Sequence, residues 1–322
     1  MNNNRIKILD CTLRDGGFVN NWSFGHECII NIIGRLDRAH IDIIEVGYLR
    51  NTAVENKDST EFPNTLSIKH MIGTRCYDAM IVAIIDYGKC DLDRVSPRKE
   101  TVIDGIRLTF RKNEADEAIA MARRIKKLGY EVFLQPVALT DYSASDVISF
   151  IDKANAIDPY AVCMVDTYGF MSKNDLVKYF YLFDSSLKKG IALGYHSHNN
   201  FQLSYSNSIE LIELSSKREL IIDATVFGMG KGAGNLNTEL ITSFINHNVA
   251  TKYDVNQVLE VISLYIDEIK RKFGWGYNLR YFLSASTDTH HQYAHYLIEK
   301  KTLSIESITS ILLKIEDGKK TR

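Results

Sequence analysis

The sequence has no excess of either charge, because 39 lysine and arginine residues offset 40 aspartate and glutamate residues and leave a net charge of −1. Interspersed charges of both signs produce no field suited to nucleic acid or to an anionic membrane surface. We therefore expect no nucleic-acid partner, and a small molecule is the favoured ligand.

Cysteines and long apolar runs are also scarce. The five cysteines are odd in number and have no CxxC spacing, which argues against a disulfide framework and against a structural zinc site. The longest apolar run, Ala79 to Ile85, is far too short to span a bilayer, and the N-terminal residues lack the apolar segment of a signal peptide. The sequence predicts a cytoplasmic protein with reduced thiols and no membrane partner.

What the chain does contain is a series of apolar, β-branched segments separated by helical stretches. Their near-continuous hydrophobicity is typical of parallel strands that are covered on both faces. Eight consecutive βα repeats predict a closed (β/α)8 TIM barrel over residues 1–240. The predicted strands are Ile6–Leu13, Ile41–Tyr48, Ala79–Ile85, Gly105–Phe110, Glu131–Val137, Ala161–Asp166, Ile191–His198 and Ile222–Phe227.

The strand pattern ends near residue 240, and residues 241–322 are predicted to form a C-terminal helical region. Helices are expected over Asp254–Lys272 and Ser284–Lys300. The aromatic and histidine residues here are best interpreted as a packing surface. A tyrosine that reaches over the barrel mouth is the alternative.

Two histidines and one aspartate are candidates for a metal site. Alternating side chains in a strand put His196 and His198 on one side, where both imidazoles can bind one ion. Asp15 follows the first predicted strand, and only the eighth strand separates it from the seventh in a closed barrel. Imidazoles with one carboxylate suit Zn, Mn, Fe or Co better than Ca. A polar strand edge and a turn-forming aspartate are the structural alternatives.

The position of polar residues at strand ends adds weight to the chemical interpretation. TIM-barrel enzymes carry their catalytic groups at the carboxyl ends of the strands. Seven polar residues lie at or near such ends, namely Asp15, Glu45, Arg107, Gln135, Asp166, His196 and His198.

A glycine-rich segment, GMGKGAGN at Gly228–Asn235, follows the eighth predicted strand. One interpretation is an anion-binding nest of backbone N–H groups assisted by Lys231. The interpretation we prefer is a loop whose backbone passes close to a metal ion and presents Asn235 as an oxygen ligand. A tight loop without a ligand is the third alternative.

Three separated motifs carry a family resemblance: TLRDGG at Thr12–Gly17, HSHNN at His196–Asn200, and the glycine-rich segment. Over Ile6–Glu239 the chain resembles the metal-dependent lyase and synthase superfamily that contains hydroxymethylglutaryl-CoA lyase, isopropylmalate synthase, homocitrate synthase and 4-hydroxy-2-oxovalerate aldolase. It is most similar to the aldolase branch, because of TLRDG and a GYxxxY pattern at Gly276–Tyr281.

The resemblance implies a divalent metal ion as cofactor. Asp15, His196 and His198 match its ligands, and Asn235 matches a further ligand of the lyase members. Mn²⁺ is the first choice, and Mg²⁺, Co²⁺ or Zn²⁺ are the alternatives.

The resemblance also implies roles around the substrate. Arg14 matches an arginine that stabilises an enolate oxygen, and Glu45 matches a glutamate close to the substrate. Asp166 and Thr167 resemble a pair that lines the pocket. We assign Arg107, near the end of the fourth predicted strand, to substrate binding.

The chain departs from the aldolase pattern at Phe18, where that branch carries a histidine that acts as general base. His26, Glu45 and Tyr281 are the predicted replacements. Different chemistry is the remaining alternative.

Together these features predict a metal-dependent aldolase that cleaves or forms a carbon–carbon bond next to a 2-oxo acid, for example a 4-hydroxy-2-oxo acid giving pyruvate and an aldehyde. No lysine stands at a strand end as an imine former, although Lys231 is the nearest alternative. A Claisen-type acyl-CoA synthase and a non-catalytic metal-binding barrel are the other hypotheses. A homo-oligomer and a dehydrogenase partner stay open.

Overall fold

Eight parallel strands close into a barrel in the computed structural model, which describes residues 5–74, 76–214, 216–289 and 291–315. Around the ring the order is β1, β2, β4, β5, β6, β7, β8 and β9, and β1 pairs with both β2 and β9. The short β3 extends the sheet beside the end of β2. The strands are β1 (Ile6–Asp10), β2 (Ile43–Leu49), β3 (Glu61–Phe62), β4 (Met80–Asp86), β5 (Gly105–Phe110), β6 (Glu131–Pro136), β7 (Ala161–Asp166), β8 (Ala192–Ser197) and β9 (Leu220–Ala224).

Helices cover the outside of the barrel and form the C-terminal region, so the predicted TIM barrel with a helical extension is confirmed. None of the described helices is long and apolar enough to cross a membrane. The α-helices are α1 (Thr12–Asp15), α2 (Gly17–Asn20), α3 (His26–Arg38), α4 (Thr65–Ile72), α5 (Ala115–Lys127), α6 (Ala144–Asn155), α7 (Lys173–Ser186), α8 (Ser204–Glu213), α9 (Thr238–Asn248), α10 (Val255–Val261), α11 (Asp267–Phe273), α12 (Leu279–Ser286), α13 (His291–Glu299) and α14 (Ile305–Leu312).

Local sequence chemistry accounts for several helix boundaries. Ser143 and Ser172 each cap a helix by accepting the backbone N–H three residues later, and Asp146 and Asp175 return the bond to the cap residue. These are capping boxes, which satisfy backbone N–H groups that the first helical turn leaves unpaired. They set the starts of α6 and α7.

The first predicted strand is too long, and this correction concerns the candidate site. β1 ends at Asp10, whose carboxylate accepts the Thr12 backbone N–H at 2.9 Å. The backbone then turns into α1, so that Asp15 lies on a single helical turn and not at a strand end.

Two predicted C-terminal helices are interrupted. A π-helical segment, Ile262–Ile266, joins α10 to α11. The prediction over Ser284–Lys300 is wrong as one helix, because α12 ends at Ser286 and Asp288 adopts a left-handed φ of 53° before α13 begins. The predicted histidine surface includes His290, which lies outside the described residues.

The barrel interior begins with an apolar layer. Its members are Leu9, Cys11, Ile43, Val82, Phe133, Ala161, Ala192 and Ile221. A larger apolar core lies between the strands and the surrounding helices and includes Ile241 and Val258, from α9 and α10. Residues of α12, α13 and α14 form a separate small cluster. The boundary at residue 240 stays a prediction.

Candidate active site

The two distant sequence motifs meet at the carboxyl ends of β1 and β8. Asp15, His196 and His198 are all buried, and one ligand atom from each lies within 4.8 Å of the other two. His196 is in β8 and His198 directly follows it, so the two side chains separated by Ser197 point to one side. These three groups can address one ion.

The glycine-rich segment packs against this cluster. Asn235 forms a β-bridge with His198, and its Nδ2 donates to Asp15 Oδ2 at 2.5 Å. A Cβ on Gly230 would lie 2.1 Å from Asn235 Nδ2 and 2.6 Å from Asp15 Oδ2. Gly234 has a φ of +89°, which favours glycine. The backbone therefore passes directly beside the candidate ligands, as in the interpretation we prefer.

The donor set fits a divalent metal ion. His196 Nδ1 lies 3.0 Å from Asp223 Oδ2, which leaves Nε2 for an ion and gives the orienting carboxylate that metal-bound histidines commonly have. His198 Nδ1 and Asn235 Oδ1 are buried and have no hydrogen-bond partner within the described ranges. Together with Asp15 these groups offer two nitrogens and two oxygens, which suit Mn, Fe, Co or Zn.

Protonation states at the cluster also favour metal binding. Burial alone would raise the pKa of Asp15, but the adjacent charge of Arg14 holds it well below its usual value. Burial lowers the pKa of His198 to about 4, although Asp15 opposes the shift. Asp15 is therefore ionised and His198 neutral near pH 7, which are the forms that bind metal.

A second grouping, of Cys11, His196 and Asp223, is similarly compact. Burial raises the pKa of the Cys11 thiol well above its usual value, so the thiol stays protonated. Asp223 is paired with Arg107. The grouping that contains Asp15 is accordingly the better candidate for the metal centre.

A series of ion pairs connects the candidate ligands through the barrel interior. Arg14 donates to Asp15 at 2.6 Å and to Glu45 Oε2 at 2.5 Å. Arg107 Nη1 lies 3.0 Å from the same Glu45 oxygen, and Arg107 Nη2 pairs with Asp223. With His196, which Asp223 contacts, these residues form what we call the charged network: Asp15, Arg14, Glu45, Arg107, Asp223 and His196.

The charged network changes the interpretation of two predicted site residues. Glu45 is 0% exposed, shares one oxygen between two arginines and does not line the cavity described below, so its predicted role as a base stays a prediction. Arg107 is 1% exposed and holds Glu45 and Asp223. Arg107 is not among the residues that line the cavity described below, and its predicted contact with substrate stays a prediction.

His26 and Tyr281, which we predicted to lie at the site, are found elsewhere in the structure. His26 Nδ1 contacts Met71 Sδ at 3.3 Å, which places the ring between α3 and α4 on the outside of the barrel. Tyr281 is buried on α12 with the Arg280 guanidinium 4.6 Å from its ring centroid. Neither residue lines the cavity described next, so neither is placed to replace the missing histidine base.

A cavity of about 880 Å³ opens above the cluster, with His198 in its wall. Thr167 lines it, as the resemblance implies. Asp166 does not, because its carboxylate accepts the backbone N–H groups of Phe170 and Met171 at 3.2 and 3.1 Å. Burial raises the pKa of Asp166 to about 7. This residue holds the loop after β7.

An aromatic wall occupies the position where the resemblance implies a histidine. Phe18 lies 4.8 Å from Trp22 and 6.2 Å from Tyr48, measured between ring centroids. Lys231 Nζ lies 5.4 Å from the Phe18 centroid, and both residues line the cavity with Tyr48. Burial lowers the pKa of Lys231.

Asp223 is the main residue that the sequence interpretation missed. It is 2% exposed in β9, within the segment LIIDA. A signal was present, since Asp223 stands two positions after the inward-facing Ile221 and so shares its face. An acidic residue at that position predicts a buried partner inside the barrel.

The protein is a parallel (β/α)8 barrel, and a carboxylate–histidine cluster and a glycine loop lie at the carboxyl ends of its strands. These features place it among TIM-barrel proteins with a candidate metal centre at the catalytic end of the barrel. Comparison with known proteins narrows this class. The chain belongs to the HMGL-like family, whose model matches residues 5–264.

Named relatives are consistent with this assignment. A 4-hydroxy-2-oxovalerate aldolase of Geobacillus genomosp. 3 is 25% identical over 275 residues, covering 82% of this chain and 77% of the relative. An oxaloacetate decarboxylase of Mycobacterium tuberculosis is 23% identical over 243 residues, covering 73% and 68%.

A solved structure agrees over almost the whole chain. The N-terminal domain of a proposed aldolase from Bacteroides vulgatus superposes with a TM-score of 0.77 at 28% identity, covering 95% of this chain and 99% of that one. The predicted superfamily, its aldolase branch and an enzyme of the lyase class are confirmed.

Proposed function

We propose that this chain is a divalent-metal-dependent aldolase that acts next to the carbonyl group of a 2-oxo acid, for example on a 4-hydroxy-2-oxo acid that yields pyruvate and an aldehyde. The observation that carries the proposal is the buried cluster of Asp15, His196 and His198 beside Asn235, together with the cavity that His198 lines. The names of the aldolase relatives support the substrate class.

The metal is assigned to Asp15, His196, His198 and Asn235. When bound there, a divalent ion, with Mn²⁺ as first choice, supplies Lewis-acid polarisation of the keto oxygen of the substrate. The neutral His198 and the ionised Asp15 hold their metal-binding protonation states without further proton loss near pH 7.

Arg14 supplies fixed positive charge next to the cluster. Asp15 and Glu45 hold its guanidinium, so the group is oriented before substrate arrives. A preorganised cation stabilises the negative charge that develops on the substrate oxygen as the carbon–carbon bond breaks. Since this charge is absent from the ground state, the interaction lowers the barrier more than it tightens binding.

Cleavage also needs a proton acceptor. The bond between C3 and C4 breaks, the C4 hydroxyl loses its proton as C4 becomes the aldehyde carbonyl, and C3 takes up a proton to complete pyruvate. We assign the first transfer to Lys231, because its amine lies over Phe18 in the wall of the cavity. Burial favours the neutral amine, which is the form that accepts a proton.

The test is hydrogen–deuterium exchange at C3 of pyruvate, followed by NMR in D₂O. The proposal predicts exchange that EDTA abolishes and Mn²⁺ restores, and that His198→Ala removes. His247→Ala is the matched control, because His247 is exposed on α9 and its ring bonds to Ser243 O at 2.7 Å. Exchange that survives both EDTA and His198→Ala would contradict the proposal.

A further inference from the structure

The cavity extends across the mouth of the barrel from the candidate metal centre. In the ring of eight strands, β8 stands opposite β4 and β9 stands opposite β5. His198 follows β8, whereas Lys89 and Arg111 follow β4 and β5, and all three residues line the same cavity. A substrate anchored at His198 that fills this space therefore reaches Lys89 and Arg111.

Neither of these two cations is neutralised within the described part of the chain. Lys89 and Arg111 form no ion pair there, although three carboxylates also line the cavity. Glu114 accepts the backbone N–H of Arg111 at 2.8 Å. Asp86 and Asp141 accept from hydroxyl groups, at 2.5 and 3.5 Å. The acids are thus held by the cavity wall and leave both cations available to a ligand.

Arg111 shares the cavity with Lys231. Lys231 follows β9 and Arg111 follows β5, which stands opposite β9 in the ring, and both residues line the cavity. The cavity therefore runs across the mouth of the barrel, from the glycine-rich segment to the loop after β5.

The size of the cavity also exceeds what the smallest substrates need. Cavities of roughly 300 to 1,000 Å³ accommodate drug-sized ligands, and this one has about 880 Å³. Pyruvate with a two-carbon aldehyde would leave much of it empty.

From these observations we propose that the aldehyde half of the substrate carries an anionic group, a carboxylate or a phosphate, which Arg111 and Lys89 bind at the side of the cavity opposite His198. The inference rests on the proposed aldolase function and specifies its substrate class. The planar fork of an arginine can donate two parallel hydrogen bonds to either anion, and lysine adds a point charge.

The experiment measures aldol addition of pyruvate to matched aldehydes in the presence of Mn²⁺. Butanal is compared with succinic semialdehyde, and glyceraldehyde with glyceraldehyde 3-phosphate, so that carboxylate and phosphate are tested separately. We expect kcat/KM to be roughly ten- to hundredfold higher for at least one anionic member of a pair. Arg111→Gln is expected to remove most of that preference and Lys89→Gln a smaller part, while kcat/KM for the uncharged aldehydes should change much less than kcat/KM for the anionic ones.

Lys112→Gln is the matched control. It removes a neighbouring charge, but the ammonium of Lys112 is already paired with Asp146 at 2.5 Å. C3 exchange of pyruvate reports the proposed function independently of the aldehyde. Normal exchange with no preference for either anion, or an equal loss with charged and uncharged aldehydes in Arg111→Gln, overturns the inference and leaves the aldolase proposal standing. Absence of exchange in the native protein overturns both.

Discussion

Two successive levels inside the barrel use the same strands for opposite purposes. Ile43 and Ile221 belong to the apolar layer, and two positions further along the same strands stand Glu45 and Asp223 of the charged network. Side chains two apart in a strand share a face, so both levels face the barrel axis. Along each of these strands, the apolar layer and the charged network are therefore only two residues apart.

The two levels differ in what stabilises them. Apolar side chains need only close packing, whereas buried charges lower stability unless each has a partner. The charged network meets this requirement because negative and positive groups alternate along it from Asp15 to Asp223. The apolar layer therefore stabilises the fold, whereas the charged network lowers stability in order to hold the candidate ligands in place.

The largest expected effect comes from removing the charge at one end of the network. Asp15→Asn should weaken Mn²⁺ binding and lower the rate of pyruvate C3 exchange roughly a thousandfold, since the ion supplies several kcal/mol of charge stabilisation. Isothermal titration with Mn²⁺ and NMR exchange measure the two effects. Asp267→Asn, on the exposed side of α11, is the control. Unchanged Mn²⁺ affinity would show that Asp15 is not a ligand.

A paired comparison separates the two levels directly. Phe133→Ala leaves a void in the apolar layer, and Arg107→Met leaves Glu45 and Asp223 without their shared cation. Each should reduce the free energy of unfolding by about 3 to 5 kcal/mol in urea titrations. Only Arg107→Met should also weaken Mn²⁺ binding. Equal losses of metal affinity in both variants would break the distinction between the levels.

Asp10 is a buried carboxylate outside the charged network, and its pKa is shifted upward, whereas that of Asp15 is shifted downward. Asp10 accepts from Thr12 N–H and from the Thr238 hydroxyl, and burial raises its pKa from 3.8 to about 6. The folded state therefore retains this proton up to about pH 6, and the stability it contributes is lost as the pH rises from about 4 to 6.

Replacing this carboxylate by a neutral amide tests whether Asp10 lowers the stability of the protein as the pH rises. Asp10→Asn should match the native protein at pH 4 and exceed its unfolding free energy by at most about 3 kcal/mol at pH 7.5. Urea titrations at the two pH values provide the measurement. A variant that loses stability as the pH rises, in parallel with the native protein, would show that Asp10 is not the source.

The smallest of these effects concerns the cavity above both levels. Lys231→Met should slow cleavage of a 4-hydroxy-2-oxo acid roughly a hundredfold through loss of the proton acceptor. Mn²⁺ affinity and unfolding free energy should not change. Adding Phe18→His should restore part of the rate, because it returns a histidine to the position implied by the resemblance. Trapping of pyruvate on Lys231 by borohydride would instead indicate imine chemistry.

Much of the fold could be predicted because apolar segments and strands coincide. β5 and β7 have the predicted bounds, Gly105–Phe110 and Ala161–Asp166. β1 was predicted too long, since nothing in the apolar pattern shows that the Asp10 carboxylate takes the Thr12 N–H and ends the strand. Strand periodicity carries no information about such side-chain to backbone bonds.

The candidate site was predictable where motifs supply several groups at once, as with His196 and His198. It was not predictable where a residue depends on a partner distant in sequence. The sequence gives no sign that Arg107, which we predict to bind substrate, is paired with Glu45 and Asp223 from two other strands. Pairing of this kind is a property of the closed ring.

The backbone link between the glycine segment and β8 has a consequence for assembly. Asn235 is bridged to His198, and Asn199 N–H donates to Gly234 O at 2.9 Å. Backbone bonds thus hold two of the four candidate ligands, His198 and Asn235, in a fixed relation to each other. Binding of the metal ion should therefore need little rearrangement of the backbone at these two residues. Its rate should depend mainly on access to the site and on loss of water from the ion.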